Sequence, residues 1–383
     1  MSAAGDAGWL HDAGFDAQAL LEGILDWVAL ESPSTDPQAV QRMLAKVEQG
    51  FAGLPVRIER SAGQDGFADL LEVTHGDPRE PGILVLGHVD TVHPVGTLDT
   101  LLPIRREGDR AYGPGILDMK GGVYLAVQAL RHLLAAGLAP ALPITFLVIP
   151  DEEVGSPGSR ARIEACARRH KYVLVPEPAR EGKLVTGRHA FARYHVRVRG
   201  QPAHAGADNR RGVSAINRMA ALILALEARS DLARGLTYSV GIVSGGTFVN
   251  VVPYACDAQV LCVAPDEAAL QEIDHTMQAL VQDADGVRIE VERGPVRPLF
   301  KPSAGGLALF EQARSIAQSL GVTLEHGQFG GGSDGNFTGA LGIPTLDGLG
   351  PVGAGPHTHQ EHILVSSLVS RCQVLAELMR TLR

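Results

Sequence analysis

Three short and almost unbroken apolar runs, at residues 83–86, 144–149 and 172–175, constrain this chain more than any other feature. They are too short for helices and lack the in-out alternation of a strand with one wet face, so they read as strands buried on both sides. Amphipathic stretches near residues 121–135 and 158–168 separate them, and Leu20, Leu21, Ile24, Leu25 and Val28 recur earlier at helical spacing. A strand, helix, strand rhythm of this kind is that of an α/β protein: a mainly parallel sheet with helices on both faces.

The texture changes between Gly187 and Gly294. Tyr194, Val196 and Val198 alternate with His195, Arg197 and Arg199, the period of a strand with one face in water. The spacing then predicts a helix over 215–228, strands over 237–243 and 257–263, a helix over 267–281 and a strand over 287–291. Four one-sided strands with two helices make an α+β domain inserted into the larger one, with domain spans 1–186, 187–294 and 295–383. The alternative is that this segment continues the main sheet. Helices near 307–320 and 366–382 close the chain.

Composition excludes several classes. Across 383 residues Asp+Glu exceed Lys+Arg by 43 to 34, with no basic run, which argues against nucleic acid or an anionic membrane surface as partner. No apolar stretch approaches the roughly 20 residues of a membrane helix. Residues 1–29 lack the pattern of a secretory leader, so the expected compartment is the cytoplasm. Cys166, Cys256, Cys262 and Cys372 form no C-x-x-C pair and read as free buried thiols.

The polar residues that follow the apolar runs carry the chemistry. His88 and Asp90 stand in GHVDTV; two apart on a strand, they point the same way, and a carboxylate holding one imidazole nitrogen frees the other for a metal. Glu152 and Glu153 follow the second run in DEEVGSPGSR, and Glu177 follows the third in VPEP. Asp118 lies in YGPGILDMKGG, a glycine-rich loop opening a helix. Any one of these acids is also what a helix cap or dipole partner looks like. Together they fall beyond the carboxyl ends of the strands, where doubly wound sheets build their sites. So many carboxylates in one crevice repel, and divalent metal relieves the conflict. His357, His359 and His362 in GPHTHQEH form either a solvated turn or a further source of ligands. Mixed His and carboxylate donors suit Zn, with Mn or Co as substitutes.

The blocks GHVDTV, EGDRAYGPGILDMKGG, DEEVGSPGSR, Glu177-Pro178, GQPAHAG, NVVP, FGGGSDGNF and the His357 region span residues 85–365 in register. In this order they resemble the zinc-dependent amidohydrolase family of acetylornithine deacetylase, succinyl-diaminopimelate desuccinylase and glutamate carboxypeptidase, nearest to its bacterial glutamate carboxypeptidases. The resemblance implies two zinc ions per subunit bridged by Asp118, one also held by His88 and Glu177, the other by Glu153 and His357. It implies that Asp90 orients His88 and that Glu152 is the general base and acid. It also implies that the inserted domain is a dimerising lid, with His204 reaching the partner's active site of a homodimer to hold the oxyanion. Asn250 in NVVP and Ser333 in FGGGSDGNF fall at substrate-binding positions.

One departure stands out. Relatives carry an Asp-x-Arg pair on the strand after Asn-x-x-Pro, whose Arg binds the substrate carboxylate, and here those positions are Leu261 and Val263. Another cation would have to replace it, from among Arg188, Arg210, Arg211 and Arg288. The leading reading is a carboxypeptidase-type hydrolase cleaving an amide next to a free carboxylate in a small peptide or N-acyl amino acid. The alternative is an N-acyl-amino-acid deacylase. A non-catalytic dimeric binding module would require changed ligands, and none of the motif positions has changed type.

Overall fold

The computed structural model describes residues 8–383; the leader reading rests in part on residues 1–7, which lie outside the described residues. The chain divides into two compact units. The first runs up to Gly187 and resumes over Lys301–Gln328 and Ser333–Arg383; the second comprises Arg188–Phe300 with Phe329–Gly332.

The first unit is built on a six-stranded sheet in the order Arg57–Ser61, Leu70–His75, Ile144–Ile149, Ile83–His88, Tyr172–Leu174, Thr345–Leu346. The last four are mutually parallel, and the three apolar runs form their centre. Alternate residues of these strands enter two different cores. Ile83, Val85, Ile144, Phe146 and Val148 pack with residues of the helices Ala17–Val28, Gly121–Ala135 and Leu368–Thr381. Leu84, Leu86, Leu147 and Ile149 pack with Ile163, Cys166 and Ala167 of the helix Arg160–Ala167 and with Phe337. Each such side chain contributes about 1.5–3 kcal/mol relative to exposure, which is why both faces carry helices.

The expectation of a mainly parallel sheet describes only this centre. Leu70–His75 and Arg57–Ser61 complete the sheet in antiparallel register. Arg57–Ser61 is exposed along its length, and its charged residues suit an outer edge. A second sheet, of the short strands Gly353–Ala354, His362–Leu364, Arg110–Tyr112 and Arg105–Glu107, is antiparallel throughout.

The second unit is a five-stranded antiparallel sheet in the order Thr237–Gly245, Ala255–Ala264, Ala190–Arg199, Val287–Arg297, Gln282–Ala284. Ala190, Ala192, Tyr194, Val196 and Val198 share one buried face with residues of the helices Ala215–Glu227 and Glu267–Gln278. Gly294 and Pro295, where the sequence places a boundary, sit in a register shift, and the strand resumes at Val296. The chain enters and leaves this unit through Arg188 and Phe300, which exchange both backbone hydrogen bonds, at 2.9 and 3.1 Å. Among the described residues no helix is long and apolar enough to cross a membrane.

Candidate metal centre

Parallel register gathers the polar residues at one edge of the first unit's sheet. His88 ends its strand opposite Ile149, and Val85 lies opposite Leu174, so residues 151–153 and Glu177 emerge beside it on the two neighbouring strands. The glycine-rich loop brings Asp118 to the same place. Gly115 there adopts φ +69°, and a side chain would strike the Thr91 methyl at 2.5 Å. Gly122 opens the following helix so close to the third strand's exit that a Cβ would lie 1.7 Å from the Pro176 carbonyl oxygen.

His88 is buried, with Nδ1 3.0 Å from the Asp90 carbonyl and 3.3 Å from Asp90 Oδ1. Its Nε2 lies 3.3 Å from Asp118 Oδ1 and 3.6 Å from Glu177 Oε1. His357 Nε2 approaches the other Asp118 oxygen at 3.3 Å and Glu153 Oε2 at 2.9 Å. Asp118 therefore turns one oxygen to each imidazole. His357 reaches this place from a left-handed backbone conformation, φ +64°, uncommon for a residue with a side chain. Asp90 ties the layers together: it accepts from the Ser34 hydroxyl at 2.6 Å and from the backbone N–H groups of Glu152 and Glu153, both at 3.2 Å. Glu152 is buried beside them.

Protons in this cluster are redistributed by burial and by the neighbours. Burial opposes charge on Asp118, but the imidazoles of His357 and His88 beside it hold its carboxyl well below the usual range. Burial also opposes charge on His88, yet Asp118 and Asp90 raise it well above an ordinary imidazole. His357 is pushed up to about 11 by Asp118 and Glu153. Burial, then the charges of Asp118 and Glu152, push Glu153 up to about 8 against the pull of His357.

The donors fit a divalent metal. Ligand atoms of His88, Asp118 and Glu153 all lie within 4.8 Å of one another. His88 Nε2 and Glu153 Oε1 are buried without a hydrogen-bond partner, a state that costs about 1–3 kcal/mol for each group and that coordination would relieve. Imidazole nitrogen with carboxylate oxygen is a donor set that suits Zn, Mn or Co.

Of the three C-terminal histidines only His357 meets the carboxylates; His362 binds the Gln360 carbonyl and stacks near Tyr112, and His359 is exposed. Ser333 is 0% exposed, and its hydroxyl donates to Asp347 at 2.6 Å and accepts from the Gly335 N–H at 3.0 Å. In the second unit His204 and Asn250 stand on two paired loops, with the Ala205 N–H donating to the Asn250 carbonyl at 2.9 Å. His204 Nδ1 accepts from the N–H groups of Gly206 and Ala207, at 3.2 and 3.1 Å, so the neutral ring carries its proton on Nε2.

Among the candidate arginines, Arg188 is buried and donates to the Gly331 carbonyl at 3.1 Å, Arg210 and Arg211 are exposed, and Arg288 pairs with Glu290 at 2.7 Å. Three residues escape sequence reasoning. Ser34 is a hydroxyl in a polar stretch with no motif around it. Arg297 is buried and lies against Gly332. Glu361, in the run THQEH, has the look of a solvated turn yet is 1% exposed.

A parallel sheet with this cluster at the carboxyl ends of its strands defines a metallopeptidase-type hydrolase. The model of Peptidase family M20/M25/M40 matches residues 84–381, and the chain belongs to that family. It is 33% identical over 308 residues to Carboxypeptidase G2 from Pseudomonas sp. (strain RS-16), covering 78% of this chain and 74% of that one. It is 28% identical over 291 residues to Acetylornithine deacetylase from Myxococcus xanthus, covering 71% and 75%. Among solved structures, a tripeptidase from Staphylococcus aureus superposes with a TM-score of 0.77 at 21% identity, covering 95% of this chain and 98% of that one, a likeness of fold.

Proposed function

We propose that this chain is a dinuclear zinc hydrolase that cleaves an amide bond next to a free carboxylate, as a carboxypeptidase of the glutamate-releasing type. The observation that carries this reading is Asp118, whose two oxygens each lie 3.3 Å from a different imidazole nitrogen, the arrangement a shared ligand requires. His88 and Glu177 complete one site and Glu153 and His357 the other. Cobalt and manganese are the substitutes this donor set would accept. Bound there, divalent cations supply Lewis acidity toward the scissile carbonyl and acidify water.

The chain's own residues do the rest. Asp90 fixes the His88 ring, so that Nε2 faces Asp118 and Glu177. Glu152 takes the proton of the attacking water and returns it to the departing amine. His204, its proton on Nε2, is a donor for the developing oxyanion of a partner subunit's substrate, and Asn250 on the paired loop contacts the substrate. A homodimer through the second unit is supported by the sheet's edge strand Thr237–Gly245, where Ile242 and Val243 are exposed, and by Leu224 at 74% exposure. Four free buried cysteines accord with a reducing cytoplasm.

The similarity to Carboxypeptidase G2 supports the carboxypeptidase reading, and that to Acetylornithine deacetylase gives the second reading, an N-acyl-amino-acid deacylase. Leu261 and Val263 keep both in play, since neither supplies the cation that a C-terminal acid needs. A panel of N-acyl and N-aminoacyl derivatives of Glu, Asp, Ala and Arg, run on zinc-loaded and chelated protein, tests the reading. Chelator-sensitive cleavage favouring Glu is expected; cleavage confined to short acyl groups would transfer the assignment to the deacylase, and chelator-resistant cleavage would sink both.

A further inference from the structure

Glu361 has none of the features by which a ligand or base is recognised, yet it is 1% exposed and accepts at both oxygens. The strand His362–Leu364 pairs with Arg110–Tyr112, and the ladder ends at His362 opposite Tyr112. Beyond that point the two chains diverge, one into the loop 113–118 that carries Asp118, the other back toward His357. Glu361 takes over where the backbone bonds stop. Its Oε1 accepts from the N–H groups of Leu117 at 2.9 Å and Asp118 at 3.0 Å. Its Oε2 accepts from the Gly115 N–H at 3.2 Å and from His93 Nε2 at 2.8 Å. Since a carboxylate here can only accept, Nε2 of the buried His93 carries the ring proton.

All four partners are donors, divided two to each oxygen. Only a group with two acceptor oxygens fits, and a carboxamide would set its NH₂ against two N–H donors. A buried carboxylate is costly unless it is fully hydrogen-bonded, and this one is, with the Lys120 ammonium adding attraction. The arrangement therefore binds the backbone of Asp118 itself to a residue four positions beyond His357. We propose that Glu361 is a positioning residue that holds the Asp118 loop and the His357 loop in register, so that a second cation can bind between Asp118, Glu153 and His357. This rests on the metal-centre reading above. His88 ends a sheet strand and the Glu177 carbonyl accepts from the Gly350 N–H at 2.9 Å, so the site they share with Asp118 depends less on Glu361; His357 lies in a loop and depends on it more.

The test is titration of the metal-free full-length protein with Co²⁺, followed by calorimetry and by visible absorption, for the wild type, Glu361→Gln and Asp118→Asn. The wild type is expected to bind in two steps. Glu361→Gln should leave the tighter step in place, weaken the second by about 10–100-fold, the usual effect of losing an outer partner of a ligand, and alter the absorption of the second ion. In assays kcat should fall with KM little changed, and excess Co²⁺ should restore part of it. An unchanged second step and spectrum in a folded Glu361→Gln protein overturns the inference while leaving the metal centre standing. A wild type that binds no Co²⁺, or an Asp118→Asn protein that titrates like the wild type, overturns the metal-centre reading and this one with it. Should Glu361→Gln fail to fold, His93→Ala, which removes one of the four donors, is read in its place: a smaller weakening of the second step is expected, and an unchanged one is decisive against the role.

Discussion

Glu152 and Glu153 are neighbours in sequence and have different tasks in the proposed mechanism. The backbone N–H groups of both donate to Asp90, and the Glu153 carboxylate meets His357 at 2.9 Å. Replacing Glu152 by Gln is therefore expected to preserve metal content, measured by elemental analysis, while turnover falls by about 10²–10⁴-fold, the usual share of a general base. Equal loss of metal and rate would show that Glu152 is a ligand instead. The meeting of His88, Glu153 and Glu177 is legible in the sequence, because each stands at the end of an apolar run or just past it, and parallel strands end together. Asp90 is legible for a related reason, through the two-residue repeat. Ser34 and Glu361 are not: a hydroxyl or a carboxylate in a polar turn gains meaning only when folding shows which donors and acceptors converge on it. The bond from the Ser333 hydroxyl to Asp347 is equally invisible in the sequence, because fourteen residues separate the two.

Among the elements, the helix Gly121–Ala135 bears the tightest constraint. Its second residue, Gly122, leaves no room for a side chain against the Pro176 carbonyl, and Pro176 immediately precedes Glu177. Gly122→Ala should lower stability by about 1–3 kcal/mol, as overpacking does, and should weaken metal binding as well if Glu177, on the displaced backbone, is the ligand proposed above. Urea denaturation and a metal titration of the same protein check both parts; loss of stability with unaltered metal affinity would separate the helix from the site. The central strands are readable because unbroken hydrophobicity has few structural explanations. The antiparallel neighbour Leu70–His75 is not, because Glu72 and Thr74 interrupt its pattern, and Glu72 is buried only by virtue of its ion pairs with Arg162 and Arg169. Strands of two or three residues, such as Gly353–Ala354, carry too few positions for any period to show.

For the whole molecule, the assignment of His204 to a partner's substrate makes a prediction about mixtures. His204→Ala alone should lose rate but keep its metal, and Glu152→Gln alone should do likewise. Mixing the two variants under conditions that allow subunit exchange should restore activity, since one of the two sites in a mixed dimer would then combine an intact Glu152 with an intact His204; no recovery despite proven exchange would confine each site to its own chain. The way the second unit joins the first has a different consequence. The ends of its long segment, Arg188 and Phe300, are a hydrogen-bonded pair, so to the rest of the chain the intervening polypeptide spans no more than the gap between adjacent strands. The entropy of closing a loop depends on the separation of its ends and only weakly on the contour between them, so a folded insert with abutting ends adds little to that cost. The inserted segment can thus lengthen or shorten over evolutionary time while the sheet that gathers His88, Glu153 and Glu177 is left undisturbed. A lineage can in this way remodel the inserted piece around the paired loops that carry His204 and Asn250 without rebuilding the sheet beneath the metal centre.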